Sequence, residues 1–530
     1  MNPSRKLTIQ IILLVLIIGF SASCVKTEEN ELSIIYGLTL APSGIDPHIN
    51  ASAELGIPLS SVYDTLVFQD PDNGTFVPGL AESWTISSDG LVYTFKLRED
   101  VKFHDGTAFN AKAVEANLQY ILNPDHVSQK AIMMLGPMEG VEIIDEYSIA
   151  IQLKEPFAPL LDSLAQVYLG MASPSALEEW GPEEYQFHQV GTGPYRFVEY
   201  IPNDRLTLEK NDDYAWAPSI YHHDIAQIDT ITFQFYEDPA TRGLALESGE
   251  VDILGEVPPL DAKRLAESEE FRLYPVPIPG QPLQFFFNTL KPPTDDPLMR
   301  QALIQSLDRE FIVDTIFGPF SPVAEGPLSA STIGFSPDYT YPEFNVDQAQ
   351  QTLDALGWDL DDSTGLRSRD GKRFQLLIVV PPWGSNPDVG QLIRAAWENL
   401  GAEVSLEVAP GFGPLKQVQD AGNYHAIGIN FFGTDPDLLR SFFASTGFYN
   451  WSGFKDSNLD ALLTSGVRSS LDSDLRQTYY DQVFKIIRDQ AIILPIRDYV
   501  NLVVARSNIQ GLRFSSQGWF PFLIDLSLVQ

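Results

Sequence analysis

The chain is 530 residues long and carries a formal net charge of −37, from 71 acidic and 34 basic side chains. That length exceeds what one hydrophobic core usually serves, so the sequence predicts two or three domains. The negative charge argues against nucleic acid or anionic membrane surfaces as partners, because repulsion would dominate their approach. An adaptation to high salt stays open as an explanation of the acidity.

The N-terminus has the pattern of an export signal. Two basic residues precede an apolar stretch at 7–20, which leads through small residues to Cys24, the only cysteine. This predicts a signal peptide over 1–23, since the apolar stretch is short for a membrane span. Small residues before a cysteine are typical of bacterial lipoproteins, although Ser21 stands where the usual lipobox has leucine. We expect lipid attachment at Cys24 and a polar tether over 24–31; the alternative is a plain secretory signal or an uncleaved anchor.

Several segments of the middle chain have clear secondary-structure patterns. Residues 91–98 alternate apolar and polar after Asp89 and Gly90, which predicts a strand leaving a tight turn. Asn110 is placed to cap a helix whose apolar residues recur at helical spacing. The Asp296–Pro297 pair predicts the start of another helix.

The clearest unit is a strand, a helix and a strand in succession. Residues 374–380 are almost continuously apolar, 388–400 have an apolar stripe at helical spacing that ends before Gly401, and 402–408 alternate. This predicts a βαβ unit with a parallel strand pair, followed by an apolar strand at 426–432. The fold class is therefore α/β.

Two further motifs resemble a phosphate-binding loop and a metal site, but a structural role is the favoured interpretation of both. Gly191–Thr–Gly193 lacks the ending of a phosphate loop, so it predicts a tight turn in which Pro194 starts a strand. His222 and His223 stand beside Asp224 without a further histidine nearby, so a metal site is the less favoured interpretation. We expect no metal and no cofactor, and hydrolase motifs are absent from the sequence.

A series of short motifs, in order along the chain, resembles the family 5 extracytoplasmic solute-binding proteins, the oligopeptide-, dipeptide- and nickel-binding proteins of ABC importers. The motifs are Val62–Leu66, Pro78–Trp84, Ser88–Gly90, Phe95–Arg98, Val101–Gly106, Gly191–Tyr195, Asp238–Arg242, Ser248–Asp252, Phe287–Asn288, Asp296–Ala302, Leu307–Glu310, Asn450–Gly453 and Leu459–Leu462.

The resemblance implies two α/β lobes of the large type II periplasmic-binding-protein fold, with an extra subdomain on the first lobe. The first lobe is then expected to contain 32–64, 186–280 and 495–530, the extra subdomain 65–185, and the second lobe 281–494. Ligand binds between the lobes, which close around it without any chemical step.

The resemblance also implies a function. We expect a lipid-anchored monomer on the outer side of the cytoplasmic membrane, periplasmic or at the cell surface, that captures a peptide-like solute and delivers it to an ABC permease. It is not expected to be an enzyme. An oligosaccharide or other small solute, or a role as a solute-sensing receptor, is the alternative, and a secreted hydrolase is the least favoured.

Two segments are expected to line the ligand cleft. In relatives, a loop before an Asp-Pro pair borders the cleft, which here points to Leu40, Ala41 and Pro42. The opposite wall is expected from the strand near 427 and the loop after it. The residues assigned to that wall are Gly428, Ile429, Asn430, Phe431, Phe432, Asp435, Asp437 and Trp451.

The second segment departs from its relatives in an informative way. Oligopeptide and dipeptide binders carry an aspartate three residues before the position of Asp435, and it pairs with the ligand's α-amino group; here that residue is Phe432. Nickel binders have a histidine where Asp437 stands. Because a buried ammonium needs a carboxylate partner, we expect free α-amino groups to contribute little to affinity unless Asp435 or Asp437 takes the role. Phe431 and Phe432 are expected to alternate between core and cleft.

Overall fold

The structure is a computed structural model that describes residues 31–39, 41–236 and 238–529. The expectations for the signal peptide, for Cys24 and for Leu40 lie outside the described residues.

The elements before the first crossing between lobes are, in chain order, β1 (Ser33–Leu38), α1 (Gly56–Leu59), β2 (Val67–Gln69), β3 (Phe76–Pro78), β4 (Ala81–Ile86), β5 (Val92–Leu97), α2 (Ala111–Leu122), α3 (Ala131–Met134), β6 (Met138–Asp145), β7 (Ser148–Leu153), α4 (Leu160–Leu164), α5 (Pro174–Glu184), β8 (Tyr195–Ile201), β9 (Arg205–Lys210), β10 (Thr230–Phe235), α6 (Pro239–Ser248), β11 (Ile253–Leu254), α7 (Pro259–Ala266) and β12 (Phe271–Pro277).

The elements that follow are β13 (Leu283–Phe287), α8 (Pro297–Gln305), α9 (Arg309–Phe317), α10 (Val346–Ala355), β14 (Asp359–Asp361), β15 (Leu366–Arg369), β16 (Lys372–Arg373), β17 (Gln375–Val380), α11 (Asn386–Asn399), β18 (Glu403–Val408), α12 (Phe412–Ala421), β19 (Ala426–Ile429), α13 (Leu438–Phe443), α14 (Ser457–Arg468), α15 (Ser473–Asp489), β20 (Ile493–Arg497), β21 (Val500–Arg506), β22 (Ile509–Gln510) and β23 (Ser527–Leu528).

The first lobe is built on a seven-stranded sheet with the order β12-β21-β11-β1-β10-β9-β8. Its centre is parallel, since β1 pairs in parallel with β10 on one side and β11 on the other. A four-stranded antiparallel sheet, β4-β5-β7-β6, lies within the segment expected to form the extra subdomain. Buried side chains of both sheets belong to one continuous hydrophobic core.

The second lobe is built on a five-stranded sheet with the order β18-β17-β19-β13-β20 and has its own core. The predicted βαβ unit is confirmed, because β17 and β18 pair in parallel over their full length with α11 between them. The predicted strand at 426–432 is shorter than expected and ends at Ile429. Beyond it the chain turns toward the first lobe, where Phe432 forms an isolated bridge with Gly280.

The predicted helix starts are also confirmed. Asn110 accepts hydrogen bonds from the N–H groups of the first turn of α2, and Asp296 accepts one from Leu298 at 2.8 Å at the start of α8. Both side chains satisfy backbone donors that a helix leaves free at its N-terminus.

Two adjacent segments carry the chain between the lobes. β12 pairs with β21 in the first lobe and β13 with β20 in the second, all antiparallel, and between them the N–H of Ile278 donates to the carbonyl of Tyr499 at 2.9 Å. The crossings are thus 278–282 and 498–499, beside the limits of 281 and 494 predicted for the second lobe. The domain limits themselves stay a prediction.

Across residues 31–39, 41–236 and 238–529, no helix combines the length and the apolar character needed to cross a bilayer.

Candidate functional site

In each of the two central sheets, the parallel strands end at the crossing between the lobes. β21 leaves the crossing and runs antiparallel to β11, so β11 and its parallel neighbours β1 and β10 end toward it. β13 also leaves the crossing and runs antiparallel to β19, so β19, β17 and β18 end there as well. Ligands of open α/β sheets bind outside the carboxyl ends of parallel strands, which places the candidate site between the lobes.

The second lobe presents aromatic side chains at this edge. Each of its three parallel strands is followed by an exposed aromatic residue: Trp383 after β17, Phe412 after β18 and Phe432 after β19, each about two-fifths exposed, at 41%, 40% and 40%. Large apolar groups are usually buried, and three at one sheet edge form a surface suited to apolar or ring-containing ligands.

The first lobe presents polar side chains at its edge. Thr39 follows β1 and Glu256 follows β11, and the Thr39 hydroxyl donates a hydrogen bond to Glu256 Oε2. Tyr499, from the crossing, also interacts electrostatically with Glu256. Burial is the main reason why the pKa of Glu256 lies above its ordinary value. The two walls of the cleft therefore differ in chemistry, polar on one side and aromatic on the other.

Glu256 also has an unusual backbone. Its φ is 48°, in the left-handed region that non-glycine residues rarely adopt, and its N–H donates to Asn501 Oδ1 at 3.0 Å. Such conformations persist only where the surroundings hold them in place, and they cluster at ligand sites. The side chain of Asn501, on β21, therefore holds Glu256 at the cleft edge.

Further polar groups near the crossing lack hydrogen-bond partners. Among the described residues, buried atoms without a partner include Nε of Arg242, at the first turn of α6, and Nε of Arg497, at the end of β20. The guanidinium of Arg497 lies 3.8 Å from the ring centroid of Phe317 and 4.4 Å from that of Tyr499. Burial lowers the pKa of Arg497 to about 10 and raises that of its neighbour Asp498 to about 6.

A second part of the cleft involves the extra subdomain. The ammonium of Lys130 lies 3.7 Å from the ring centroid of Tyr168, and burial lowers its pKa to about 8 despite the charges of Asp162 and Glu54 nearby. Glu54 in turn interacts electrostatically with Glu256. Lys130 thus interacts with Glu54, near the polar wall of the first lobe, and with Asp162, where the extra subdomain contacts the second lobe.

The lobes touch directly at that point. The Thr434 hydroxyl donates to buried Asp162 and accepts a hydrogen bond from Gln517 Nε2 at 3.1 Å. Nearby, the N–H of Ala158 donates to the carbonyl of Val467 at 2.7 Å, and Arg468 pairs with Glu155. The structure is therefore a closed arrangement of the lobes.

Phe431 and Phe432 do alternate. The Phe431 ring lies 4.8 Å from Phe442 and 5.0 Å from Tyr449, against the core of the second lobe. The Phe432 ring instead lies 5.0 Å from Tyr499 and 5.3 Å from Trp519, both outside the second lobe. Phe432 thus crosses the cleft.

The two aspartates of the predicted wall are already paired. Asp435 receives two hydrogen bonds from Arg476, at 2.7 and 2.8 Å, and Asp437 receives two from Arg440 at the same distances. Bidentate pairs of this kind are strong and directional. Neither carboxylate is left without a cationic partner of its own.

The other predicted residues lie at varied depth. Gly428 and Ile429 are buried in β19, and Asn430 is half-buried directly after it. Ala41 is half-buried, while Pro42 is buried and its carbonyl accepts a hydrogen bond from Tyr200 at 3.4 Å. Trp451 is fully buried beside Phe286, inside the second lobe.

The two motifs interpreted as structural have structural contacts. The carbonyl oxygens of Gly191 and Gly193 accept hydrogen bonds from His104, and a Cβ at either glycine would collide with the backbone at 61–62. The backbone N–H groups of His222 and His223 both donate to Asp525. Within the part of the chain that is described, no three His, Cys, Asp or Glu side chains come together as a metal site requires.

Sequence reasoning missed several residues of this cleft. Glu256, Tyr499, Trp519 and Lys130 come from four distant segments, and no local pattern marks them. Trp383 and Phe412 could have been predicted as cleft residues, because each follows the carboxyl end of a predicted parallel strand.

Comparison with known proteins identifies the chain's relatives. A family model described as bacterial extracellular solute-binding proteins, family 5 middle, matches residues 75–452. GsiB, a glutathione-binding protein of Pectobacterium atrosepticum, is 36% identical over 290 residues, which cover 54% of each chain. In that match the chain spans about half the length of its relative.

Two matches extend further. The nickel-binding periplasmic protein of Escherichia coli strain K12 is 25% identical over 516 residues, 92% of each chain. The crystal structure of NikA from Brucella suis in complex with Fe(III)-EDTA has a TM-score of 0.83 at 24% identity, covering 94% of this chain and all of that one, which supports the two-lobed α/β fold. Because the family model covers more than half of the chain, the protein is a member of family 5 of the bacterial extracellular solute-binding proteins.

Proposed function

We propose that the protein binds a small peptide-like solute between its lobes and delivers it to an ABC permease. The observation that carries the proposal is the cleft itself, where the carboxyl ends of the parallel strands of two sheets meet, with a polar wall opposite an aromatic one. A peptide has both polar backbone groups and apolar side chains, so it fits such a cleft. GsiB, whose name states that it binds glutathione, adds support.

The proposed ligand set changes from the one expected from sequence. Phe432, Ala41 and Asn430 stay in it, and Thr39, Glu256, Tyr499, Trp383 and Phe412 join them. Trp451 leaves the set because its ring is fully buried, and Asp435 and Asp437 are assigned to holding the wall through their arginine partners.

One feature favours an oligosaccharide as a second candidate. Trp383, Phe412 and Phe432 offer exposed ring faces at one sheet edge, and sugars stack on such faces. A peptide remains the better fit, because the opposite wall contains charged groups that a neutral sugar would leave without a counter-charge.

The proposal includes attachment to the membrane. A lipid on Cys24, followed by the polar segment 24–31, would tether a monomer to the outer side of the cytoplasmic membrane and keep the cleft within reach of a permease. We propose no catalysis, since closure of the lobes around a solute requires none.

Mass spectrometry of protein purified under native conditions tests the proposed ligand. We expect a co-purified peptide-like solute that is released on denaturation and that binds again, measured by calorimetry, without being altered. Recovery of a sugar would favour the second candidate, and turnover of the added solute would contradict a binding role.

A further inference from the structure

The second lobe has no carboxylate free for a ligand's amino group at the place where relatives provide one. Phe432 stands at that position, and the nearby Asp435 and Asp437 each have a bidentate arginine partner. Recruiting either aspartate would break two charge-assisted hydrogen bonds and leave its arginine without a carboxylate partner.

The first lobe provides a carboxylate on the opposite wall. Glu256 accepts a hydrogen bond from the Thr39 hydroxyl and interacts electrostatically with Tyr499; a carboxylate has about four acceptor positions, so further ones remain. Among the described residues, no Lys, Arg or His nitrogen lies within 4.0 Å of it. Tyr499 also contacts the Phe432 ring, so Glu256 lies one residue away from the aromatic wall.

Two buried donors near Glu256 have no hydrogen-bond partner among the described residues, and they would be satisfied by oxygen atoms of a bound solute, not by its amino group. Arg242, which interacts electrostatically with Glu256 and Tyr499, is 8% exposed, and its Nε has no hydrogen-bond partner. The indole N–H of Trp519, whose ring touches both Phe432 and Tyr499, is also buried without a partner. Buried donors in a folded protein normally have partners.

The charges that act on Glu256 are one carboxylate and one guanidinium, because it interacts electrostatically with Glu54 and with Arg242. In the extra subdomain, the ammonium of Lys130 lies over the Tyr168 ring and has no ion pair within 4.0 Å among the described residues. Two carboxylates that repel each other in a closed cleft are relieved by a positive group between the walls.

We propose that Glu256 binds the protonated amino group of the solute while the neighbouring apolar part of the solute lies against Phe432. The inference rests on the proposed function and names its substrate class: solutes with a free amino group beside an apolar group. In this protein the carboxylate for the ammonium belongs to the first lobe, whereas in the relatives it belongs to the second. The ammonium therefore contributes to affinity although Phe432 stands in place of the relatives' aspartate.

Competition between matched peptide pools tests the inference. The full-length protein is offered equimolar tripeptides with free amino termini and the same tripeptides N-acetylated, and the retained species are counted by native mass spectrometry. We expect at least about 30-fold preference for free amino termini, because acetylation leaves a desolvated carboxylate without a cation. In Glu256→Gln the preference falls to within about threefold.

Controls separate this result from loss of fold. Glu267→Gln, at an exposed position after α7, keeps the full preference. Tyr499→Phe, which removes a hydroxyl that interacts with both Glu256 and Arg497, gives an intermediate value. The melting temperatures of all variants are compared without ligand. A preference that survives in Glu256→Gln, or equal retention of both pools by the wild type, overturns the inference while leaving peptide binding in place.

A third pool of alkyl and arylalkyl amines separates the inference from the proposed function. Retention of amines without retention of peptides supports Glu256 as the ammonium site and contradicts the peptide proposal. Retention of none of the three pools contradicts both.

Discussion

At the scale of single residues, burial changes the protonation of several acids. Asp162 is 7% exposed at the contact between the lobes, and burial, together with the nearby negative charge of Asp435, raises its pKa to about 7. Its hydrogen bonds from Thr434 and Gln166 oppose this rise without cancelling it. Between about pH 4 and about pH 7, the carboxyl of Asp162 is therefore protonated in the folded protein and ionised in the unfolded chain.

This makes the contribution of Asp162 to stability depend on pH. A folded-state pKa above the unfolded value means that stability falls as the pH rises from about 4 to about 7, and stays low above that range. Asp162→Asn mimics the protonated form, so we expect it to stabilise the protein by about 1–3 kcal/mol at pH 8 and to have little effect at pH 4.

Thermal unfolding of the variant and the wild type at pH 4, 6 and 8 measures this difference. Glu178→Gln, an exposed position on α5, serves as the control and should show no pH-dependent gain. A constant difference between Asp162→Asn and the wild type across the three pH values would show that Asp162 titrates normally.

At the scale of elements, the helices of the second lobe depend on side-chain caps. Asp456 accepts hydrogen bonds from the N–H groups of Asn458 and Leu459, both at 2.8 Å, at the start of α14. α14 packs on α15, which begins with a similar cap from Asp472. The cap accepts hydrogen bonds from backbone N–H groups that have no partner within the helix. Without the cap, these N–H groups lose their hydrogen bonds.

We therefore expect Asp456→Ala to destabilise the second lobe by about 1 kcal/mol, and Asp456→Asn, which keeps an acceptor, to cost much less. Chemical denaturation followed by circular dichroism measures both variants. If alanine and asparagine cost the same, the stabilisation comes from the charge near the helix terminus and not from the hydrogen bonds.

At the scale of the whole molecule, the closed state depends in part on polar contacts between the extra subdomain and the second lobe. Thr434 with Asp162, Ala158 with Val467, and the exposed pair of Arg468 and Glu155 join the extra subdomain to the second lobe. The exposed ion pair contributes only about 0–1 kcal/mol, so it does little to stabilise the closed state. A ligand that touches both walls adds the remaining stabilisation.

Small-angle scattering should then show a larger radius of gyration for the ligand-free protein than the closed structure gives, and compaction when the solute is added. The melting temperature should rise with solute concentration, because the solute binds the native state alone. A radius of gyration that matches the closed structure without solute would contradict opening of the lobes.

The membrane anchor is a prediction at the same scale. Cys24→Ser should release the protein from membranes without changing its melting temperature, since the expected tether lies outside the cores described above. Fractionation of cells and intact-mass analysis measure this. An unmodified Cys24 in protein that stays with the membrane would contradict lipid attachment.

The sequence by itself determined the family, the α/β class and several elements. The βαβ unit around α11 and the caps at Asn110 and Asp296 were predictable because they depend on apolar spacing and on side chains within a few residues. The alternation of Phe431 and Phe432 followed from the two-residue period of an extended chain.

Only the tertiary structure decided which carboxylate faces the cleft. Asp435 is occupied by Arg476, 41 residues further along, while Glu256 meets Thr39, 217 residues earlier, and Tyr499 of the second crossing. Trp451 carries the same aromatic signal as Phe432 but packs inside the second lobe. The ion pairs of these carboxylates and the burial of Trp451 depend on contacts between distant segments. Sequence patterns over a few residues therefore cannot predict them.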